Sequence, residues 1–177
     1  MWRLGSLIVE FINFNYIFMK NIMKKFLFVA VVSLFATGAF AQNWKVGARL
    51  GSSFHAVAMY EYSEKCYLEG RAGLGIINGL AADVSVINNW HVAEMNWTPK
   101  AGIWNFDAGV GVNAGFAPSW IYCGIQGLLR LSFTFAKAPV TLGIDYSPCV
   151  GPYISENTLG LNTYGFSNAG LTVTYNF

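Results

Sequence analysis

The sequence predicts an all-β chain: an eight-stranded antiparallel up-and-down transmembrane β-barrel, preceded by a helical signal peptide. Three observations carry that expectation. Charge is scarce, because Asp, Glu, Lys and Arg make up 11% of the 177 residues while 54% are hydrophobic, whereas soluble domains carry about 25% charged residues. Apolar residues recur at every second position from Trp44 to Phe177, the period of a strand with one face against an apolar phase. The links between the alternating runs also sort by parity into short and long sets, as an up-and-down barrel requires.

The N-terminal part reads as a targeting signal. Met23 is followed by Lys24 and Lys25, an apolar run from Phe26 to Ala36, and Thr37-Gly38-Ala39-Phe40-Ala41. These are the basic n-region, short h-region and Ala-x-Ala site of an export signal. Cleavage is expected after Ala41, with Ala39 and Ala41 as recognition residues and Gln42 as the first mature residue. At 1.5 Å per residue the run covers about half of a ~30 Å hydrocarbon core, too little for a transmembrane helix. The residue after the cut is Gln42 rather than the cysteine of a lipoprotein. Residues 1–18, with Glu10 inside an apolar stretch, fit no export signal and read as a mis-called extension. The expected division is therefore 1–18 extension, 19–41 signal peptide and 42–177 barrel. Beyond Ala41 seven basic and eight acidic residues leave a net charge of −1, without a basic patch for nucleic acid.

Each strand is legible in turn. Trp44, Val46, Ala48 and Leu50 oppose Lys45, Arg49 and Gly51; Ala56, Ala58, Tyr60 and Tyr62 oppose His55 and Glu61. Leu68, Ala72, Leu74 and Ile76 oppose Glu69 and Arg71, and Leu80, Ala82, Val84 and Val86 oppose Asp83 and Ser85. Trp104, Phe106, Ala108, Val110 and Val112 alternate with Asn105, Asp107, Gly109, Gly111 and Asn113. The sixth run sets Ile121, Cys123, Ile125, Leu129, Leu131, Phe133 and Phe135 against Tyr122, Gln126, Arg130, Ser132 and Thr134. In the seventh, Val140, Leu142, Ile144 and Tyr146 oppose Thr141, Gly143, Asp145 and Ser147; in the eighth, Ala169, Leu171, Val173, Tyr175 and Phe177 oppose Gly170, Thr172, Thr174 and Asn176. A membrane helix over 108–129 is the one rival, and five glycines, Pro118 and the period of two argue against it. Short links are expected at Ser63-Glu64-Lys65 and Ala136–Pro139, a looser one at Asn89–Lys100, and a long polar loop at Gly151–Asn168.

Nearly all strand charges share one face with many of the glycines, as suits a narrow interior. Parity sends Lys45, Arg49, Arg71 and Arg130 inward with Glu61, Glu69, Asp83, Asp107 and Asp145. Lys45, Glu61 and Glu69 lie near strand ends, where water would screen them. Arg71, Asp83, Asp107, Arg130 and Asp145 are the expected buried charge network, because unpaired charges in so dry a space would each cost several kcal/mol. Aromatics near strand ends on the apolar face, among them Trp44, Tyr60, Tyr62, Trp104, Phe116, Trp120, Tyr146 and Phe177, have the placing of interfacial girdles.

The Ala-x-Ala signal, the eight amphipathic strands and the terminal Val173-Thr174-Tyr175-Asn176-Phe177 together resemble the small outer-membrane β-barrels of Gram-negative envelopes, the OmpA-like transmembrane-barrel superfamily. The resemblance covers Gln42 to Phe177. It implies an outer-membrane location, outer-membrane lipid as solvent, and Val173, Tyr175 and Phe177 as the assembly signal read by the barrel-assembly machinery.

Chemistry is sparse. Cys66, Cys123 and Cys149 are odd in number, and parity points Cys123 outward and Cys149 inward, so neither a disulfide nor a zinc site is expected. His55 belongs to the inward set and His91 to a turn, and neither has a nucleophile or carboxylate at a telling sequence spacing. The expected protein is a monomeric, non-enzymatic barrel without cofactor or metal, structural or at the cell surface (envelope integrity, adhesion), with a lumen plugged by side chains. Two alternatives stand beside it. A small-ligand barrel would show a cavity between Glu69, Arg71 and Arg130; a lipid-modifying enzyme would use a cluster for which His91 and Glu94 are the first candidates.

Overall fold

The computed structural model describes residues 43–75, 81–117, 119–155, 158–162, 166 and 168–177. The extension, the signal peptide and the residues Ala39, Ala41 and Gln42 lie outside the described residues, as do Ile76 and Leu80 of the alternating runs. Ten strands succeed one another along the chain: β1 (Trp44–Leu50), β2 (Phe54–Ser63), β3 (Cys66–Gly75), β4 (Ala81–Met95), β5 (Gly102–Ala117), β6 (Trp120–Phe135), β7 (Val140–Tyr146), β8 (Cys149–Ser155), β9 (Thr158–Asn162) and β10 (Ala169–Asn176). No α-helix occurs among the described residues.

All pairings are antiparallel, and the sheet closes on itself. Neighbours run β5-β4-β3-β2-β1-β10-β7-β6, and β5 pairs β6 to complete the ring. The seam joins the first strand to the last, from Lys45 opposite Asn176 to Leu50 opposite Leu171. Ten strands make eight staves. β7 and β8 continue one another along β6 without a change of register, Arg130 facing Asp145 and Gln126 facing Cys149. Proline lacks the N–H of a ladder donor, so the strand is interrupted at Ser147-Pro148, while the Pro148 carbonyl still accepts from Gly127 N at 2.8 Å. β9 pairs β8 where β10 pairs β7, so the eighth stave is also made in two parts.

Three expectations about connections are corrected by this register. Gly151–Asn168 is no long loop, because β8 and β9 within it form a hairpin, Gly151 facing Asn162 and Ser155 facing Thr158. β4 runs on to Met95, so the expected link at Asn89–Lys100 begins only at Asn96. His91 therefore lies in a strand and not in a turn; a bulge between His91 and Ala93 inserts a residue there and resets the face taken by Ala93 and its successors. The resulting barrel has unequal walls. β4, β5 and β6 hold 15, 16 and 16 residues, against 7 in β1 and 8 in β10.

Burial is inverted relative to a water-soluble barrel. The enclosed residues include Arg49, Glu69, Arg71, Asp107, Arg130 and Asp145, and the exposed ones include Val84, Val86, Val112, Ile125, Ile144 and Val173. Strand alternation alone produces this, since successive side chains point to opposite faces. Aromatic rings cluster outside at the end where β1 begins and β10 finishes: Trp44 lies 5.0 Å from Tyr60, Trp104 4.9 Å from Phe133, and Tyr175 5.0 Å from Phe177. Trp120 departs from the girdle expected of it. Its ring lies 5.1 Å from that of Tyr122, with which it shares the inward parity of β6.

Candidate functional site in the barrel lumen

Inward residues of every stave line the lumen, and several of them meet there at direct hydrogen-bond distance. Glu69 on β3 is the centre, with none of its surface exposed. Arg130, three staves away on β6, donates across the lumen through Nη1 and Nη2 to its two carboxylate oxygens, each at 2.9 Å. Arg71, two residues along β3 on the same face, donates Nε to Oε1 at 2.7 Å, and Asn89 on β4 adds a weaker bond at 3.3 Å. Two guanidinium groups thus share one carboxylate. The expectation that Glu69 sits in screening water is wrong, because strand tilt and stagger place its position of β3 at mid-barrel rather than at the rim.

A second centre forms on Asp145 of β7. Arg49 Nε donates to it at 2.7 Å and Thr172 Oγ1 at 2.6 Å. Ser147 Oγ joins them at 3.2 Å and itself accepts from Arg71 Nη1 at 3.0 Å. Arg130 Nη2 stands 3.6 Å from the same carboxylate. Arg71 and Arg130 therefore tie the two centres into one network that crosses the lumen. Arg49, absent from the expected buried set, is completely enclosed. The network is possible because facing positions carry no side chain. A Cβ added to Gly170 would lie 2.6 Å from Arg49 Cζ, and one added to Gly73 would lie 2.7 Å from Asp83 Oδ1.

Of the remaining three inward carboxylates, Glu61 pairs with Lys45 and the other two with imidazoles. Asp83 lies 2.9 Å from His55 Nε2 and accepts from Asn113 Nδ2 at 3.3 Å; Asp107 lies 2.7 Å from His91 Nδ1 and accepts from the Tyr67 hydroxyl at 3.0 Å. A carboxylate offers only acceptors, so the ring nitrogen donates in both pairs. Of the network expected from parity, Arg71, Arg130 and Asp145 join around Glu69, Asp107 is tied to them through the Tyr67 hydroxyl, which accepts from Arg130 Nη1 at 3.3 Å, and Asp83 pairs with His55. Sequence spacing could not reveal the histidine pairs, since His55 and Asp83 are 28 residues apart and sit on β2 and β4 across Gly73. Glu94 stands exposed opposite Asn105, past the bulge that follows His91.

Apolar residues complete the filling. Ile87, Leu128 and Val57 are enclosed to 2% exposure or less. Their signal in the sequence is a doubled apolar pair, Val86-Ile87 and Leu128-Leu129, in which one member breaks the alternation. A cavity of about 30 Å³ remains beside Tyr67, His91, Arg130 and Thr172, room for water but not for an organic ligand. Glu69, Arg71 and Arg130 meet through direct hydrogen bonds where the ligand alternative needs a cavity. Cys66, Cys123 and Cys149 are free thiols, and Cys149 is buried while Cys123 is exposed.

Comparison with protein-family models, curated proteins and solved structures returned no match. The functional reading accordingly rests on the geometry of this chain.

Proposed function

We propose that this chain is an integral outer-membrane β-barrel with a structural or cell-surface role and a lumen closed by its own side chains. One observation carries the reading: charged and hydrogen-bonding groups fill the interior while Leu, Ile, Val and aromatic side chains cover the outside. Water would penalise that outer surface by about 25 cal/mol per Å², whereas hydrocarbon accepts it. A closed barrel is also the one sheet architecture that leaves no unpaired edge in lipid. The ring of outward aromatics at the terminal end supports an interface at that level, and the export signal expected before Gln42 supports the route to the outer membrane. Lipid is the partner that this reading requires, with the assembly machinery acting on the terminal strand.

The test is fractionation of cells expressing the full chain, with electrophoresis of unheated and boiled samples. The reading requires the chain in the outer-membrane fraction, beginning at Gln42 and migrating differently when unheated. Recovery in the soluble fraction would overturn it.

A further inference from the structure

The outside of the tall wall is not evenly convex. Outward residues of neighbouring strands form rows across the sheet, and three successive rows differ in bulk. One row brings together Phe116, Ile121 and Ile154, on β5, β6 and β8, and drops to Ala82 on β4. Four residues down the strands, another joins Val86, Val112, Ile125 and Val150. Between them lies a row of Val84, Ala114 and Cys123, with Pro152 opposite Cys123, since its neighbours pair as Tyr122 with Tyr153 and Ile125 with Val150. On β5 and β6 the middle row carries Ala114 and Cys123 where the rows on either side carry Phe116, Ile121, Val112 and Ile125, so across these strands the middle row is a trough between two ridges. A groove of about 570 Å³ runs along it and is lined by Val84, Val112, Ala114, Cys123, Ile125 and Val150 with their neighbours. That volume lies within the ~300–1,000 Å³ range of ligand sites.

We infer that this trough is a binding groove for one acyl chain of a bilayer lipid; the inference rests on the membrane reading proposed above. The groove is continuous with the apolar outer band, and its lining side chains offer a ligand no charge. A second copy of the chain is a poor occupant. Two barrels in one bilayer meet about an axis along the membrane normal, so an isologous contact would set trough against trough at equal depth and double the void. The ridges stand about 13 Å apart at 3.3 Å per residue, and their own side chains narrow that gap below the 10–12 Å diameter of a helix. A hydrocarbon chain is thinner and flexible, and reaches the floor at Ala114 and Cys123.

The test uses the protein purified from membranes and reconstituted into phosphatidylcholine vesicles that contain a lipid spin-labelled on its acyl chain. Flotation and the migration of unheated samples first establish insertion and folding. The wild type is expected to show a motionally restricted lipid component that falls in both Ala114→Leu and Cys123→Leu, which fill the floor, and persists in Val173→Leu on the short wall. An unchanged restricted component in whichever filled variant folds would overturn the groove while leaving the membrane reading intact. Efficient crosslinking of Cys123 between copies by a short bismaleimide, in a Cys66→Ser background at low protein density, would overturn it in favour of a dimer. Failure of the wild type to enter vesicles would overturn both readings.

Discussion

Arg130 and Glu69 form a two-pronged pair across the barrel, both guanidinium ends bonding the two carboxylate oxygens at 2.9 Å with neither residue more than 3% exposed. The pair joins β6 to β3, which stand three staves apart in the ring and share no ladder. It therefore does for the lumen what backbone ladders do around the wall.

Replacing Arg130 by leucine leaves Glu69 with Arg71 alone and removes the second cation near Asp145. Loss of one partner from a buried pair costs roughly 3–5 kcal/mol. Denaturant unfolding of the Arg130→Leu barrel in vesicles should show a destabilisation of that order, with Glu69→Gln destabilised in the same direction. A wild-type midpoint in both variants would mean that the network contributes nothing to stability.

The interior glycines are expected to be intolerant of an added side chain as well. A Cβ at Gly170 would stand 2.6 Å from Arg49 Cζ and 2.8 Å from the Leu50 carbonyl oxygen. The backbone oxygen cannot rotate away, so Arg49 would have to leave Asp145. Gly170→Ala should destabilise by about 1–3 kcal/mol, the usual cost of overpacking, measured by the same unfolding assay. Gly70→Ala, whose Cβ would come no closer than 3.9 Å to the Ala58 carbonyl oxygen, is the tolerated control.

Electrical silence is the expected consequence of the filled lumen. Eight strands enclose a space just wide enough for side chains, whereas water-filled channels use about sixteen. Planar-bilayer recordings of the wild-type protein should show no large, steady conductance. A porin-like current would contradict a lumen whose cavity measures about 30 Å³.

Phe177 ends the strand that closes the ring. Its N–H donates to the Trp44 carbonyl at 3.1 Å, and its ring packs 5.0 Å from that of Tyr175. Removing Phe177 deletes the last bond of the seam and one aromatic of the terminal belt. Pulse-chase labelling with unheated electrophoresis should show slower accumulation of folded barrel, and wild-type kinetics would deny the residue a role in assembly.

Which face each residue takes was determined by the sequence alone, because a strand repeats every two residues and one apolar face suffices to reveal it. That rule places Arg71, Asp83, Asp107, Arg130 and Asp145 inward, and it fails locally where a bulge resets the face after His91 or where Ile87 and Leu128 turn an apolar side chain inward. Depth and partnership were decided only by the tertiary structure. Strand tilt and stagger set the height of each inward residue, so Glu69, near the start of an alternating run, became the centre of the network. Closure curved β3 and β6, three staves apart, around one lumen, and so brought Glu69 to Arg130 across 61 residues of sequence. Periodicity cannot report such a meeting, because it measures distance along one strand and the lumen is assembled from all of them.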